Sequence, residues 1–129
     1  MFDLTGKTAI VTGATKGLGY ATAHSLADCG ANVVIVSRSE EDCVRVAEEI
    51  KNKGVKSMAY ACDITQKKMI DSMVEQTVKE FGFIDILVNN AGVAVTKPAE
   101  ELTEDDWNFV VDTNLKGVFL TSQDVGKRM

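Results

Sequence analysis

Residues 12–19 read Thr-Gly-Ala-Thr-Lys-Gly-Leu-Gly and follow the apolar run Thr8-Ala9-Ile10-Val11. A strand that ends in glycines and then opens a helix directs unpaired backbone amides, and the positive end of the helix dipole, at one spot. Such a spot suits a phosphate. Glycine allows the ligand to come close. The spacing Gly13, Gly17, Gly19 differs from G-x-G-x-x-G and from the phosphate loop, which needs four residues between its glycines and then Lys-Ser or Lys-Thr. By themselves the glycines also fit a turn that holds nothing.

The elements that would position this turn follow from periodicity. Short runs rich in Val and Ile predict strands at 7–12, 32–37, 56–62 and 84–89. Between them helical spacing links Leu18, Ala21, Ser25, Leu26 and Cys29, then Val44, Ala47 and Ile50, then Met69, Ile70, Met73, Val74, Val78 and Phe81. Gly30, Gly54 and Gly82 fall just past the last periodic residues, where helices stop. Ser39 with Asp42, and Thr103 with Asp106, have capping-box spacing, and Thr65 is a candidate cap for the third helix. Four helices result. Repeated strand-helix units with continuous apolar strands predict an α/β fold: a doubly wound parallel sheet, Rossmann-like, in a single domain spanning 1–129. The single proline, Pro98, lies in a loop at 91–102 that is expected to rim a site.

Bulk properties narrow the function. Net charge is −5, from 14 Lys plus Arg against 19 Asp plus Glu, which gives no footprint for nucleic acid or an anionic membrane. No apolar run approaches the ~18 residues of a membrane span, and the opening residues lack a secretory layout. Cys29, Cys43 and Cys62 match neither a disulfide framework nor a zinc site, so a reduced, cytoplasmic setting is expected. His24 has no second ligand type at metal spacing and is read as structural, with no metal expected.

A second pair of residues bears on the ligand. The run at 32–37 ends in Ser37-Arg38-Ser39, where a fold taking NAD usually carries an acid for the ribose 2′-hydroxyl. Here a base follows, and Lys16 in the glycine turn can approach the same place. Two cations around a 2′-phosphate, each charge-assisted bond worth about 1.5–3 kcal/mol, favour NADP(H), with NAD(H) as second choice. Two ordinary solvated cations are the plain alternative.

Together, Thr12-Gly13-x-x-x-Gly17-x-Gly19, Asp63 closing the third strand and Asn89-Asn90-Ala91-Gly92 closing the fourth resemble the short-chain dehydrogenase/reductase family in order and spacing. The resemblance covers essentially the whole chain. It implies that Gly13, Gly17, Leu18 and Gly19 bind the cofactor pyrophosphate, Leu18 through its amide, with Thr12 bracing the turn. It implies that Asp63 and the Ile64 backbone meet the adenine, that Asn90, Ala91 and Gly92 lie along the ribose, and that Lys16, Ser37 and Arg38 hold a 2′-phosphate. Asp63 as a helix cap, and Asn89 and Asn90 as turn formers, remain open as structural readings.

Asn114 falls within an apolar stripe of the last helix, Trp107, Val110, Val111, Val118 and Val125, and a polar residue there needs a partner. One reading has Asn114 bonded to local backbone, with Gly117 marking a kink. Asn114-Leu115-Lys116-Gly117-Val118-Phe119 also resembles the family segment whose Asn joins the catalytic tetrad and shapes a water site, and a kinked helix with a buried Asn satisfies both.

Members of the family are about twice this length, and their serine and Tyr-x-x-x-Lys pair lie beyond a fifth strand. Here Tyr20 and Tyr60 are followed four residues on by His24 and Ile64. The chain is therefore expected to be the cofactor-binding half, truncated after the fourth strand-helix unit and inactive in hydride transfer by itself. An unpaired fourth strand and exposed Phe119 and Leu120 predict a homo-oligomer. The opening Phe2-Asp3-Leu4-Thr5-Gly6-Lys7 resembles that of gluconate 5-dehydrogenases, which implies a sugar-acid substrate, and other carbonyl reductases begin similarly. The competing function is a non-catalytic dinucleotide-binding or self-associating module.

Overall fold

The computed structural model describes residues 2–129. Its order is β1 (Thr8–Thr12), α1 (Gly17–Asp28), β2 (Asn32–Ser37), α2 (Glu40–Lys51), β3 (Ser57–Ala61), α3 (Lys67–Phe81) and β4 (Ile86–Val88). After a short 3-10 turn at Ala99–Glu101 come α4 (Glu104–Val111), a π-helical segment at Asp112–Lys116 and α5 (Gly117–Gly126). The strands form one parallel sheet in the order β3-β2-β1-β4. The chain steps outward from β1 to β3, and α3 then carries it back to the other side of β1. That reversal opens a crevice at the carboxyl ends of the strands.

Both sheet faces are covered, which explains the continuous apolar runs. Val11, Val33 and Ile35 face one way and pack with Ala23, Ala27, Val46 and Ile50 of α1 and α2. Ile10, Val34 and Val36, their neighbours in sequence, face the other way onto Ile70, Met73 and Val74 of α3 and Val125 of α5. The alternation is the strand period of two read against two helical layers.

Several local expectations hold, and others are corrected. Gly30, Gly54 and Gly82 have positive φ at the helix ends. Thr103 and Asp106 form a complete capping box, whereas the Ser39 hydroxyl accepts from the Asp42 amide without the reciprocal bond. Thr65 does not cap α3. Its hydroxyl donates to Asp63 at 2.7 Å, which leaves Gln66 at the cap position. The fourth strand is shorter than 84–89 because Asn90 turns back onto β1. Leu120 is half-buried, packed on the α3 layer rather than exposed.

The apolar stripe of the last helix is buried only at its end. Val125 is inaccessible, yet Trp107 is 69 % exposed and Asn114 is exposed too. The reason is reach: α5 lies along α3, while α4 contains no buried residue among those described. In place of the kink expected at Gly117, the helix carries a π segment at Asp112–Lys116, which ends just before that glycine.

Cys43 and Cys62 are buried core groups, whereas Cys29 is only partly buried. Burial raises the pKa of the Cys43 thiol and pushes that of Cys62 up to about 11, with the Asp63 charge adding to the second. Well below the ordinary thiol pKa of about 8.5 the Cys62 thiol is neutral both folded and unfolded. Between there and about 11 the unfolded chain gives up a proton that the folded chain keeps, so stability falls as pH rises across that window. Urea denaturation at several alkaline pH values is expected to show that fall, and Cys62→Ala is expected to flatten it.

Candidate functional site

The crevice at the sheet switch point is a cavity of about 360 Å³. Its walls come from the ends of all four strands: Thr12, Gly13 and Lys16 after β1, Ser37 and Arg38 after β2, Asp63 and Ile64 after β3, and Asn90, Ala91 and Gly92 after β4. Gly17, Leu18 and Gly19 lie beside it in the first turn of α1, with the Leu18 side chain 81 % exposed. No side chain caps α1 at Lys16. Tyr20 N–H donates to the Lys16 carbonyl, and the amides of Gly17, Leu18 and Gly19 before it have no acceptor among the described residues. An anion fits that end of the helix.

The turn's close packing explains two of its glycines. A Cβ on Gly13, where φ is +62°, would lie 2.8 Å from the Ala91 Cα. A Cβ on Gly19 would run into the Gly13 carbonyl and the Asn90 amide group. The turn, the helix start and the end of β4 are thus pressed together, leaving room only for backbone.

Hydrogen bonds lock this arrangement. Thr12 Oγ1 accepts from the amides of Asn90 and Ala91, both at 3.1 Å, and donates to the Val88 carbonyl at 3.4 Å. Asn90 Nδ2 donates to the Gly13 carbonyl at 3.0 Å. Asn90 is more than a turn former: it ties β4 to the glycine turn. Thr12 is 1 % exposed, so Thr12→Val keeps the shape but orphans two amides. The expected cost is about 1–3 kcal/mol, measured as a lower urea midpoint at unchanged slope.

Asn114 is held differently from the expectation of a buried, locally bonded side chain. Its Oδ1 accepts from Val93 N–H and its Nδ2 donates to the Val93 carbonyl, both at 2.8 Å. The π segment therefore clamps the chain just after β4, across 21 positions of sequence. Gly117 lets this helix close on Ile64, since a Cβ there would lie 2.8 Å from Ile64 Cδ1. Of the loop at 91–102, the first part lines the cavity through Ala91, Gly92 and Val93.

Lys16 and Arg38 share the cavity wall, both are exposed, and neither has a carboxylate within 4 Å among the described residues. Ser37 is already engaged: its hydroxyl accepts from the Ser39 amide at 3.2 Å and lies 3.1 Å from Cys43 Sγ. Asp63 accepts from both the amide and the hydroxyl of Thr65, at 2.9 and 2.7 Å, so it organises the next turn while it also lines the cavity. Among the lining residues that periodicity and spacing missed are Thr15, Asp42 and Thr113. Asp42 drew notice only as a helix-cap partner, because its place on the wall depends on how α2 leaves β2. His24 packs against Tyr20 with ring centroids 4.4 Å apart and planes tilted by 46°, and sits 3.4 Å from Glu49 of α2. No group of acidic, His or Cys side chains suited to a metal occurs among the described residues, and no helix there is long and apolar enough to cross a membrane.

A glycine turn at the switch point of a doubly wound parallel sheet defines the class of Rossmann-like nucleotide folds. A family model described as short chain dehydrogenase matches residues 7–129, and the chain belongs to that family of oxidoreductases, whose members bind nicotinamide dinucleotides. Among curated relatives, D-threitol dehydrogenase of Mycolicibacterium smegmatis is 41 % identical over 99 % of this chain and 49 % of its own length. The 3-oxoacyl-(acyl-carrier-protein) reductase FabG of Staphylococcus epidermidis is 40 % identical over 95 % of this chain and 51 % of its own. A short-chain type dehydrogenase/reductase from Mycobacterium marinum superposes with a TM-score of 0.95 at 37 % identity, covering 98 % of this chain and 51 % of that one. NAD+-bound xylitol dehydrogenase does so with a TM-score of 0.94 at 32 % identity, covering 98 % and 49 %. The chain spans about half the length of these relatives.

Proposed function

We propose that this chain is the cofactor-binding part of an NADP(H)-dependent oxidoreductase that interconverts an alcohol and a carbonyl. The observation that carries the reading is the shared wall on which Lys16 and Arg38, without carboxylate partners, stand beside the uncapped start of α1. The amides of Gly17, Leu18 and Gly19 would hold the pyrophosphate, and Lys16 and Arg38 the 2′-phosphate. Asp63 and Ile64 would meet the adenine, with Asn90, Ala91 and Gly92 along the ribose. When bound, the nicotinamide supplies the hydride. Asn114 would fix the strand end that the nicotinamide side faces, through its two bonds to Val93.

The proton donor of such a reaction is not among these 129 residues on this reading. Tyr20 is packed toward α2 against His24, and neither tyrosine has a lysine four residues on. The substrate class proposed is a polyhydroxylated alcohol or its ketone, which the threitol and xylitol dehydrogenase relatives and the sugar-acid resemblance of the opening residues support. Calorimetric titration tests the cofactor assignment: NADPH is expected to bind more tightly than NADH, and a chain that ignores both overturns it. Binding without turnover of a polyol and ketone panel by the chain alone is the expected companion result.

The second reading is a self-associating module, favoured by the exposed Trp107, Phe109, Leu115 and Phe119 on the α4–α5 face and by β4 at the sheet edge. Sedimentation at micromolar concentration is expected to show a dimer or larger species. A single monomeric boundary would remove this reading.

A further inference from the structure

We propose that Asp42 weakens the hold of this site on a 2′-phosphate, and that Arg45 governs how much of that negative charge the site feels. This rests on the dinucleotide reading above. The charged residues lining the cavity are Lys16, Arg38, Asp42 and Asp63, two cationic and two acidic. Asp63 is tied into its own turn by two bonds from Thr65. Asp42 is different. It stands in the first turn of α2, four residues after Arg38, and its carboxylate has one ionic neighbour among the described residues, Arg45 at 3.6 Å.

That neutralisation is partial, because Arg45 also reaches Glu49 at 3.8 Å and its side chain is half exposed. Glu49 in turn sits beside His24. The guanidinium is thus shared between two carboxylates, one of which belongs to the cavity wall. A phosphate brought up to Lys16 and Arg38 meets the residual charge of Asp42, whereas a ribose with a free 2′-hydroxyl carries nothing for it to repel. Asp42 therefore discriminates against the phosphorylated dinucleotide on the very wall where the two cations favour it. Helix α2 gains from an acid in its first turn, which explains why one is there. The cap itself uses the Asp42 amide, bonded to Ser39 Oγ at 3.3 Å, and an Asn side chain leaves that bond in place.

The experiment is calorimetric titration with NADPH and with NADH of the chain and its variants Asp42→Asn, Arg45→Gln, the double variant and Glu41→Gln. Glu41 is on the same helical turn but off the cavity lining, so it reports any general effect of lost acidity. Asp42→Asn is expected to tighten NADPH about threefold to tenfold at low salt and to leave NADH unchanged, with the gain fading near 1 M salt, where screening shortens to about 3 Å. Arg45→Gln is expected to loosen NADPH, and to have no such effect once Asp42 is Asn. Glu41→Gln is expected to leave the ratio as it was. An Asp42→Asn variant with an unchanged NADPH to NADH ratio, or with both ligands shifted alike, overturns the proposal while the dinucleotide reading stands. A parent chain that binds neither ligand overturns both.

Discussion

Arg38→Asp is expected to reverse the dinucleotide preference, lowering NADPH affinity by about a hundredfold or more while NADH binding holds or improves. The magnitude comes from a charge-assisted bond worth about 1.5–3 kcal/mol, lost outright, and replaced by a carboxylate that repels the phosphate it displaced. Each 1.4 kcal/mol is a factor of ten. The same carboxylate is suited to a ribose 2′-hydroxyl, the partner it finds in folds of this kind that take NAD. Arg38 is exposed and makes no ion pair among the described residues, so the change should leave stability within about 0.5 kcal/mol of the parent. Altered binding can then be read as altered recognition. Lys16→Ala is expected to move NADPH in the same direction by a smaller step, since Lys16 is a flexible point charge without the fixed fork of an arginine. Competition between the two dinucleotides at fixed salt measures the ratio. Equal affinities before and after Arg38→Asp would count against a phosphate between these side chains.

How far the sequence could be read depended on whether a residue's role was local. The alternation of strand and helix was legible because both faces of the sheet are covered, and Val33 through Val36 are all inaccessible. The glycine turn was legible because Gly13 and Gly19 answer to backbone contacts within one strand-turn-helix unit and to the Asn-Asn-Ala-Gly segment beside it. What escaped was set by long-range placement. Asn114 looked like a buried residue in a continuous stripe, yet the helix extends past the layer that would bury it, and the π segment turns the side chain onto Val93. Thr65 looked like a cap because nothing in spacing shows that Asp63 already claims its hydroxyl. Asp42 read as a cap partner, and only the angle at which α2 leaves β2 makes it part of the cavity wall.

The largest loss of stability is expected from Ile10→Ala. Ile10 is fully inaccessible, in the central strand β1, with β2 and β4 hydrogen-bonded on either side. Its side chain packs into the layer built by α3 and α5, with Val34, Val36, Ile70, Met73 and Val125 in the same cluster. Removing three carbons there leaves a cavity that two rigid strands and a helix cannot close, and such deletions cost about 2–5 kcal/mol. Total stabilities of domains run about 5–15 kcal/mol, so this one change threatens the fold where Thr12→Val only weakens it. Ile10→Val removes a single methylene and should cost about 0.5–1.5 kcal/mol. The contrast between the two variants separates cavity formation from a loss of strand propensity, because Val is as good a strand residue as Ile whereas Ala is not. Paired thermal melts should show Ile10→Ala lower by roughly 10–20 °C and Ile10→Val by a few degrees. Were Ile10→Ala to melt with the parent, Ile10 would have neighbours able to collapse into the space, and the tight two-layer packing described for this sheet would be wrong.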